Sequence, residues 1–205
     1  MAFPLTTEDY MSFLTELERR LGEDSMDKGG GESLVNFLTG LRFLLQSRET
    51  IRKLPLTAAL TSSGLLLMSR VGGYEAMLYG SAMISGAQQM SQAESFDCVG
   101  LYTFLNGMYQ DLRNHGCRSG KGTLMETLSA ALTRFRHGIE RQENTVTLMH
   151  AVKAAAFSAS ERRATGVRVD SLAEISFSSC EEADELWAAI AKRWIACICD
   201  AALQH

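Results

Sequence analysis

Apolar residues recur at helical spacing along most of the chain, with polar residues between them. The first stripe follows Thr6 and Asp9, which predict a capping box at a helix N-terminus. Its apolar face consists of Tyr10, Phe13, Leu14, Leu17 and Leu21, and we expect this helix to end near Gly22. Later stripes bring the expected number to seven or eight amphipathic helices, with no strand. The sequence therefore predicts one all-α domain over residues 1–205, built as a helical bundle or closed barrel.

Local signals place several of the helix boundaries. Residues 47–55 are charged and end in Pro55, so we interpret them as a connection, and residues 164–178 are read as irregular. Later helix starts are predicted at the N-cap residues Ser95, Thr123, Asn144 and Ser179, the last with Glu182 as a second capping box. Trp187 and Trp194, seven residues apart, are interpreted as core residues of the last helix.

A Gly72–Gly73 pair separates two apolar segments and opens a helix rich in small residues. Paired glycines mark a tight turn, and they also let backbone N–H groups approach an anion at a helix N-terminus. Both interpretations stay open on local grounds. The small residues that follow predict close helix–helix packing, because glycine within a helix costs about 1 kcal/mol relative to alanine. They are Gly80, Ser81, Ser85, Gly86 and Ala87.

Composition narrows the class of protein. Of the 205 residues, 46% are hydrophobic and 21% charged, which is typical of a globular domain. The net charge of −4, with both signs mixed, predicts neither a nucleic-acid-binding nor a membrane-surface protein. No apolar run approaches the roughly 18 residues of a membrane-spanning helix, and the first residues do not resemble a signal peptide.

The cysteines and histidines do not predict a disulfide framework or a zinc site. The five cysteines form no CxxC spacing, and the four histidines are scattered. We therefore expect reduced thiols in a cytoplasmic protein.

Two further stretches are candidates for phosphate or metal chemistry. Residues 116–123 approach the P-loop pattern but have the wrong spacing and no preceding strand, so a true P-loop is not predicted. Five carboxylates near the end of the first helix offer the oxygen ligands that Mg²⁺ prefers, although a solvated acidic loop is the commoner explanation. These residues are Glu16, Glu18, Glu23, Asp24 and Asp27.

The order of these features resembles one family, the nucleotide-binding L subunit (DhaL) of dihydroxyacetone kinases. Residues 17–25, LERRLGEDS, resemble the family segment L-D-x-x-I-G-D-x-D-H-G. Residues 63–80, SGLLLMSRVGGYEAMLYG, are similar to T-G-x-x-L-x-S-x-V-G-G-x-S-G-x-L-Y/F-G. Residues 120–128, GKGTLMETL, are similar to G-D-K-T-M-x-D-x-L.

The resemblance implies an antiparallel eight-helix barrel that binds ADP or ATP with Mg²⁺ at one end. The family passes a phosphoryl group to dihydroxyacetone held on a partner K subunit, and phosphoryl transfer of this kind needs mainly positioning and charge neutralisation. Carried onto this chain, the metal ligands are Glu18 and Glu23, with Asp27 or Asp24 in place of the uncharged Ser25 if the loop shifts. The nucleotide contacts are Ser69, Gly72, Gly73, Thr123, Leu124 and Arg168, with Thr123 and Leu124 at the base.

The chain departs from the family pattern at charged positions. The family's aspartates fall on Glu18, Glu23 and Ser25, and Lys121 replaces another aspartate. Glu75 places a carboxylate beside the expected phosphates, which it repels unless a metal lies between them. Two hypotheses follow: a domain that binds a magnesium nucleotide and serves dihydroxyacetone phosphorylation, or a catalytically impaired member that acts as a binding or regulatory module.

Overall fold

The helices follow the apolar periodicity of the sequence closely. The computed structural model describes residues 5–28, 32–71, 74–90, 97–117, 119–160 and 180–203. Within these ranges the chain forms nine helices and no strand. They are α1 (Thr7–Lys28), α2 (Glu32–Gln46), α3 (Arg48–Ile51), α4 (Leu56–Arg70), α5 (Tyr74–Met90), α6 (Cys98–Asn114), α7 (Leu124–Glu140), α8 (Thr145–Ser160) and α9 (Cys180–Leu203). The all-α prediction is confirmed.

The eight longer helices form a closed ring. Each packs against the next one along the chain, with α2 followed by α4, and α9 returns to contact α1. Where the connection is short, neighbouring helices run antiparallel. Their apolar faces share one hydrophobic core, in which Phe104, Phe135 and Met11 are the largest fully buried side chains. This is the barrel that the resemblance implied, while the assignment of all residues 1–205 to one domain stays a prediction.

Glycines bring α4, α5 and α6 into backbone contact. A Cβ atom on Gly64 of α4 would lie 2.6 Å from the carbonyl oxygen of Gly80 in α5. On the other side of α5, a Cβ on Gly86 would lie 2.7 Å from the carbonyl oxygen of Phe104, and one on Gly107 would lie 2.8 Å from the Gly86 Cα. The close packing predicted from the small residues is thus confirmed.

Three aromatic residues show which helix ends lie together. Phe37, Tyr79 and Trp187 lie within the first eight residues of α2, α5 and α9, and their ring centroids are 5.0–6.3 Å apart. Ser81 of α5 donates a hydrogen bond of 2.7 Å to Asp111, near the end of α6. The ends of α1, α4, α6 and α8 and the beginnings of α2, α5, α7 and α9 therefore lie at one end of the ring, which we call the motif end.

The structure contains several of the helix caps and core residues predicted from the sequence. The Thr6–Asp9 capping box is formed, with the Thr6 N–H 2.6 Å from the Asp9 carboxylate and the Asp9 N–H 3.2 Å from the Thr6 hydroxyl. Asn144 caps α8 through a 2.9 Å bond from the Thr147 N–H. Trp187 and Trp194 are half-buried and pack against the core. The Ser179 prediction and the irregular segment 164–178 fall outside the described residues.

Three boundary predictions are wrong. Helix α1 does not end near Gly22 but continues to Lys28, so the acidic residues expected in a loop belong to a helix. Residues 47–55 contain the short helix α3. The N-cap of α6 is Asp97, whose carboxylate accepts hydrogen bonds from the Val99 and Gly100 N–H groups, and not Ser95. No helix in the described ranges combines the length and apolar character needed to span a membrane.

Candidate functional site

The motif end brings together the segments that carried the candidate chemistry. The C-terminal half of α1, the junction of α4 and α5, and the junction of α6 and α7 all reach this end. Two helices begin there with candidate phosphate-binding loops before them, α5 at Tyr74 and α7 at Leu124. Their N-termini carry partial positive charge, which favours an anion. The shape of the fold therefore gathers the motifs that are far apart in the sequence.

The α4–α5 junction is tight. Helix α4 ends at Arg70, Val71 is extended, and α5 begins at Tyr74, which leaves Gly72 and Gly73 between the two helices. Ser69 lies exposed in the last turn of α4, where its hydroxyl donates to the Leu66 carbonyl at 3.3 Å. Gly72, Gly73 and the side chain of Glu75 lie outside the described residues, so their predicted phosphate role stays a prediction.

The N-terminus of α7 is held by its own side chains. The Thr123 hydroxyl donates to the Gly120 carbonyl at 2.9 Å and accepts from the Glu126 N–H at 3.3 Å. The Glu126 carboxylate in turn accepts from the Gly122 N–H at 2.6 Å, where Gly122 has a φ of +75° that favours glycine. The N-cap prediction for Thr123 is confirmed. Because the hydroxyl proton is used within the loop, Thr123 would contact a ligand through its backbone or methyl group.

Leu124 is the first residue of α7, and its side chain is buried in the core. It offers an apolar wall and no polar group to a ligand. The predicted contact between Leu124 and a nucleotide base stays a prediction.

The described metal-ligand candidates form ion pairs with arginines. Glu18 accepts a hydrogen bond of 2.8 Å from Arg42, and Glu23 accepts one of 2.6 Å from Arg19. Five residues apart on one continuous helix, Glu18 and Glu23 point about 140° away from each other. As described, these two side chains do not fit a single shared Mg²⁺ ion, which needs converging oxygen ligands.

Other candidates add nothing to a metal site in the described part of the chain. There, no three His, Cys, Asp or Glu side chains come together as a set of metal ligands. The side chain of Asp27 and the whole of Arg168 fall outside that part. The metal assignment to Glu18, Glu23 and Asp27 therefore remains a prediction.

Two cations at the motif end were not singled out as ligands from the sequence. Arg70 is the last residue of α4 and Lys121 precedes the N-terminus of α7, and both side chains are exposed. Neither forms an ion pair with a described carboxylate. The sequence does indicate this role, because Arg70 and Lys121 come immediately before Val71 and Gly122, beside the two candidate phosphate-binding loops. A cation beside such a loop neutralises phosphate charge.

Two buried cysteines near the end of α9 are weak nucleophiles. The cysteines that the structure describes are free thiols: Cys98, Cys117, Cys197 and Cys199. Burial raises the pKa of Cys197 to about 11 and that of Cys199 to about 12, so both stay protonated near neutral pH.

A comparison with protein families identifies the fold. The model of the DAK2 domain family matches residues 29–167, which is more than half of the chain and covers α2 to α8. The match begins after α1, the helix that carries the candidate metal ligands. A search of curated proteins gives no match. The chain therefore belongs to the DAK2 domain family, the domain of the DhaL subunits of dihydroxyacetone kinases.

Proposed function

We propose that the domain binds ADP or ATP at the motif end and acts as the nucleotide-binding subunit of a dihydroxyacetone kinase-type system. It would pass a phosphoryl group to a ketose held on a partner K-type subunit. The observation that carries this proposal is the convergence of the α5 and α7 N-termini at one end of the barrel. Both helix ends present N–H groups and positive dipole ends to the same region.

Different residues of the chain would contact the phosphates and the base of the nucleotide. The N–H groups after Val71 would approach the phosphates, since glycines at 72 and 73 allow close contact. Arg70 and Lys121 would neutralise phosphate charge from either side. Thr123 and Leu124 would face the base through the capped first turn of α7.

The protein would work in the cytoplasm, where its described free thiols stay reduced. Mg²⁺, when bound, supplies neutralisation of phosphate charge, and any ligand set must draw on side chains beyond the Glu18 and Glu23 pair as described.

A thermal shift measurement tests nucleotide binding directly. ADP with Mg²⁺ at a hundred times its Kd stabilises the folded state by about 2.7 kcal/mol. For a domain of this length we expect the melting temperature to rise by about 5–10 °C. The double variant Arg70→Gln and Lys121→Gln should lose most of this rise. The absence of any rise in the wild-type protein at millimolar Mg-ADP would overturn the proposal.

A second function is favoured by the arginine pairs on α1. With Glu18 bonded to Arg42 and Glu23 to Arg19, these carboxylates act as structural ion pairs, as expected in a catalytically impaired member. Such a protein would keep the barrel as a binding or regulatory module for a K-type subunit. It would bind that subunit in a pull-down while showing no Mg²⁺-dependent shift with ADP, whereas the first function requires both.

A further inference from the structure

A polar groove lies between α1, α3 and α9, towards the end of the barrel opposite the motif end. Its volume is about 470 Å³. The side chains that give it chemical character are Ser12, Thr15, Glu16, Arg20, Arg48 and Asp200. Two of them were named above, Glu16 among the acidic residues and Arg20 within the segment 17–25. None of the six is among the nucleotide contacts or metal ligands that the resemblance implies, so the groove is a separate feature of the molecule.

The two carboxylates of the groove are already neutralised. Glu16 accepts hydrogen bonds from Arg19 at 2.7 Å and from Arg20 at 2.6 Å. Asp200 accepts from Arg20 at 3.0 Å and from Lys153 at 2.7 Å. Each carboxylate thus binds two cations, and these contacts tie α1, α8 and α9 together. The hydrogen bonds that Arg20 uses come from its Nε and one of its Nη atoms, which leaves the other Nη available as a donor.

Arg48 carries a buried donor without a partner in the described part of the chain. Its Nη2 atom donates to Glu8, but its Nε atom is buried and finds no hydrogen-bond partner among the described residues. Leaving a buried donor of a charged group unpaired is unfavourable. The Arg48 side chain as a whole is 42% exposed, so the guanidinium has room to turn its Nε edge towards the groove. Ser12, an exposed residue of α1, lines the same groove.

We propose that this groove binds a small ligand through a phosphate or carboxylate group, with Arg48 as the principal donor. The Nε–H and one Nη2–H of a guanidinium lie side by side, which matches two oxygens of such an anion, and a bound anion would share Nη2 with Glu8. Arg20 and Ser12 add single donors from α1. The site does not depend on the proposed nucleotide function, because it uses different residues towards the other end of the barrel.

Side-chain NMR of the ¹⁵N-labelled full chain tests this proposal at the atom concerned. The Arg48 Nε–H signal is assigned as the one missing from Arg48→Gln. Inorganic phosphate, and in a second arm malonate, is titrated at constant ionic strength set with sodium chloride. We expect the Arg48 signal to shift with saturation in at least one arm, and the arm that binds more tightly identifies the anion. Backbone amides of residues 119–124 report separately on any phosphate bound at the motif end.

Two variants sharpen the test. Ser12→Ala should weaken binding about 3–10-fold, the effect of one hydrogen bond. Arg52→Gln is the matched control, because Arg52 follows α3 and pairs with Glu49 outside the groove, and it should bind like the wild type. The proposal is wrong if the Arg48 signal does not shift, or if chloride alone shifts it equally. Binding to Ser12→Ala and Arg48→Gln is followed on the backbone amides of residues 12–20. If the affinity is unchanged in both variants, the proposal is also wrong.

Discussion

The carbonyl oxygen of Gly80 lies 2.6 Å from the point where a Cβ atom on Gly64 would stand. The backbones of α4 and α5 therefore touch six residues before α4 ends and six residues after α5 begins. This contact holds the end of α4 close to the beginning of α5. Two glycines outside the candidate phosphate loop thus set the separation of the two helices that the loop connects.

We expect Gly80→Ala to destabilise the domain by about 1–3 kcal/mol, because the added methyl group meets backbone and the side chain of Met68. Gly22→Ala is the control, since a Cβ there meets nothing within 4 Å and α1 runs through this position. That variant should stabilise the protein by about 0.5–1 kcal/mol. Urea denaturation measures both free energies of unfolding, and equal effects in the two variants would contradict the packing described.

Thr123→Ala should cost about 1 kcal/mol of stability, because it removes the N-cap of α7 and a bond to the Gly120 carbonyl. Thr123→Ser keeps the hydroxyl and should restore most of this loss. Thr133→Ala, at an exposed position in the middle of α7, should change stability by less than about 0.5 kcal/mol. A Thr123→Ser variant as unstable as Thr123→Ala would show that the methyl group, and not the cap, is responsible.

If Glu23 is a metal ligand, Glu23→Gln should remove the Mg²⁺-dependent part of the thermal shift caused by ADP, since an amide binds Mg²⁺ more weakly than a carboxylate. Glu49→Gln is a matched control, because Glu49 is also exposed and paired with an arginine, Arg52. The measurement is the difference between melting temperatures with and without Mg²⁺. If this difference in melting temperature is unchanged in Glu23→Gln, Glu23 is not a metal ligand and serves only its ion pair with Arg19.

Hydrogen bonds from Arg19 and Arg20 hold the pKa of Glu16 at about 2, below its ordinary value of 4.5, although partial burial opposes this. A lowered pKa in the folded state stabilises the protein above pH 4.5, and this contribution is lost as the pH falls towards 2. Because Arg19 is half exposed, we expect only about 1 kcal/mol. The difference in unfolding free energy between wild type and Glu16→Gln should therefore close between pH 5 and about pH 2. A constant difference across this range would contradict the ion pairing.

The helices and several of their caps could be predicted because they depend on neighbours in sequence. Apolar spacing predicted the amphipathic helices, and Thr6, Thr123 and Asn144 act on groups only three residues away. The prediction that α1 ends near Gly22 is wrong, because a single glycine weakens a helix without having to end it. The Arg19–Glu23 pair spans Gly22, and α1 continues through it.

The ion-pair partners could not be read from the sequence. Arg42 reaches Glu18 across 24 residues, and Arg20 reaches Asp200 across 180. Such contacts depend on which helices the closed ring makes adjacent, which local patterns do not encode. Three of the five acidic residues in the predicted metal site, Glu16, Glu18 and Glu23, are paired with arginines.

The two tryptophans of the chain give each half of the barrel its own optical signal. Trp187 lies with Phe37 and Tyr79 near the motif end, while Trp194 packs against Phe13 and Phe104 further down α9. A protein with Trp194→Phe emits from Trp187 alone, and one with Trp187→Phe emits from Trp194 alone. Fluorescence of these two single-tryptophan proteins can therefore report, without any added dye, in which half of the barrel a ligand or partner acts.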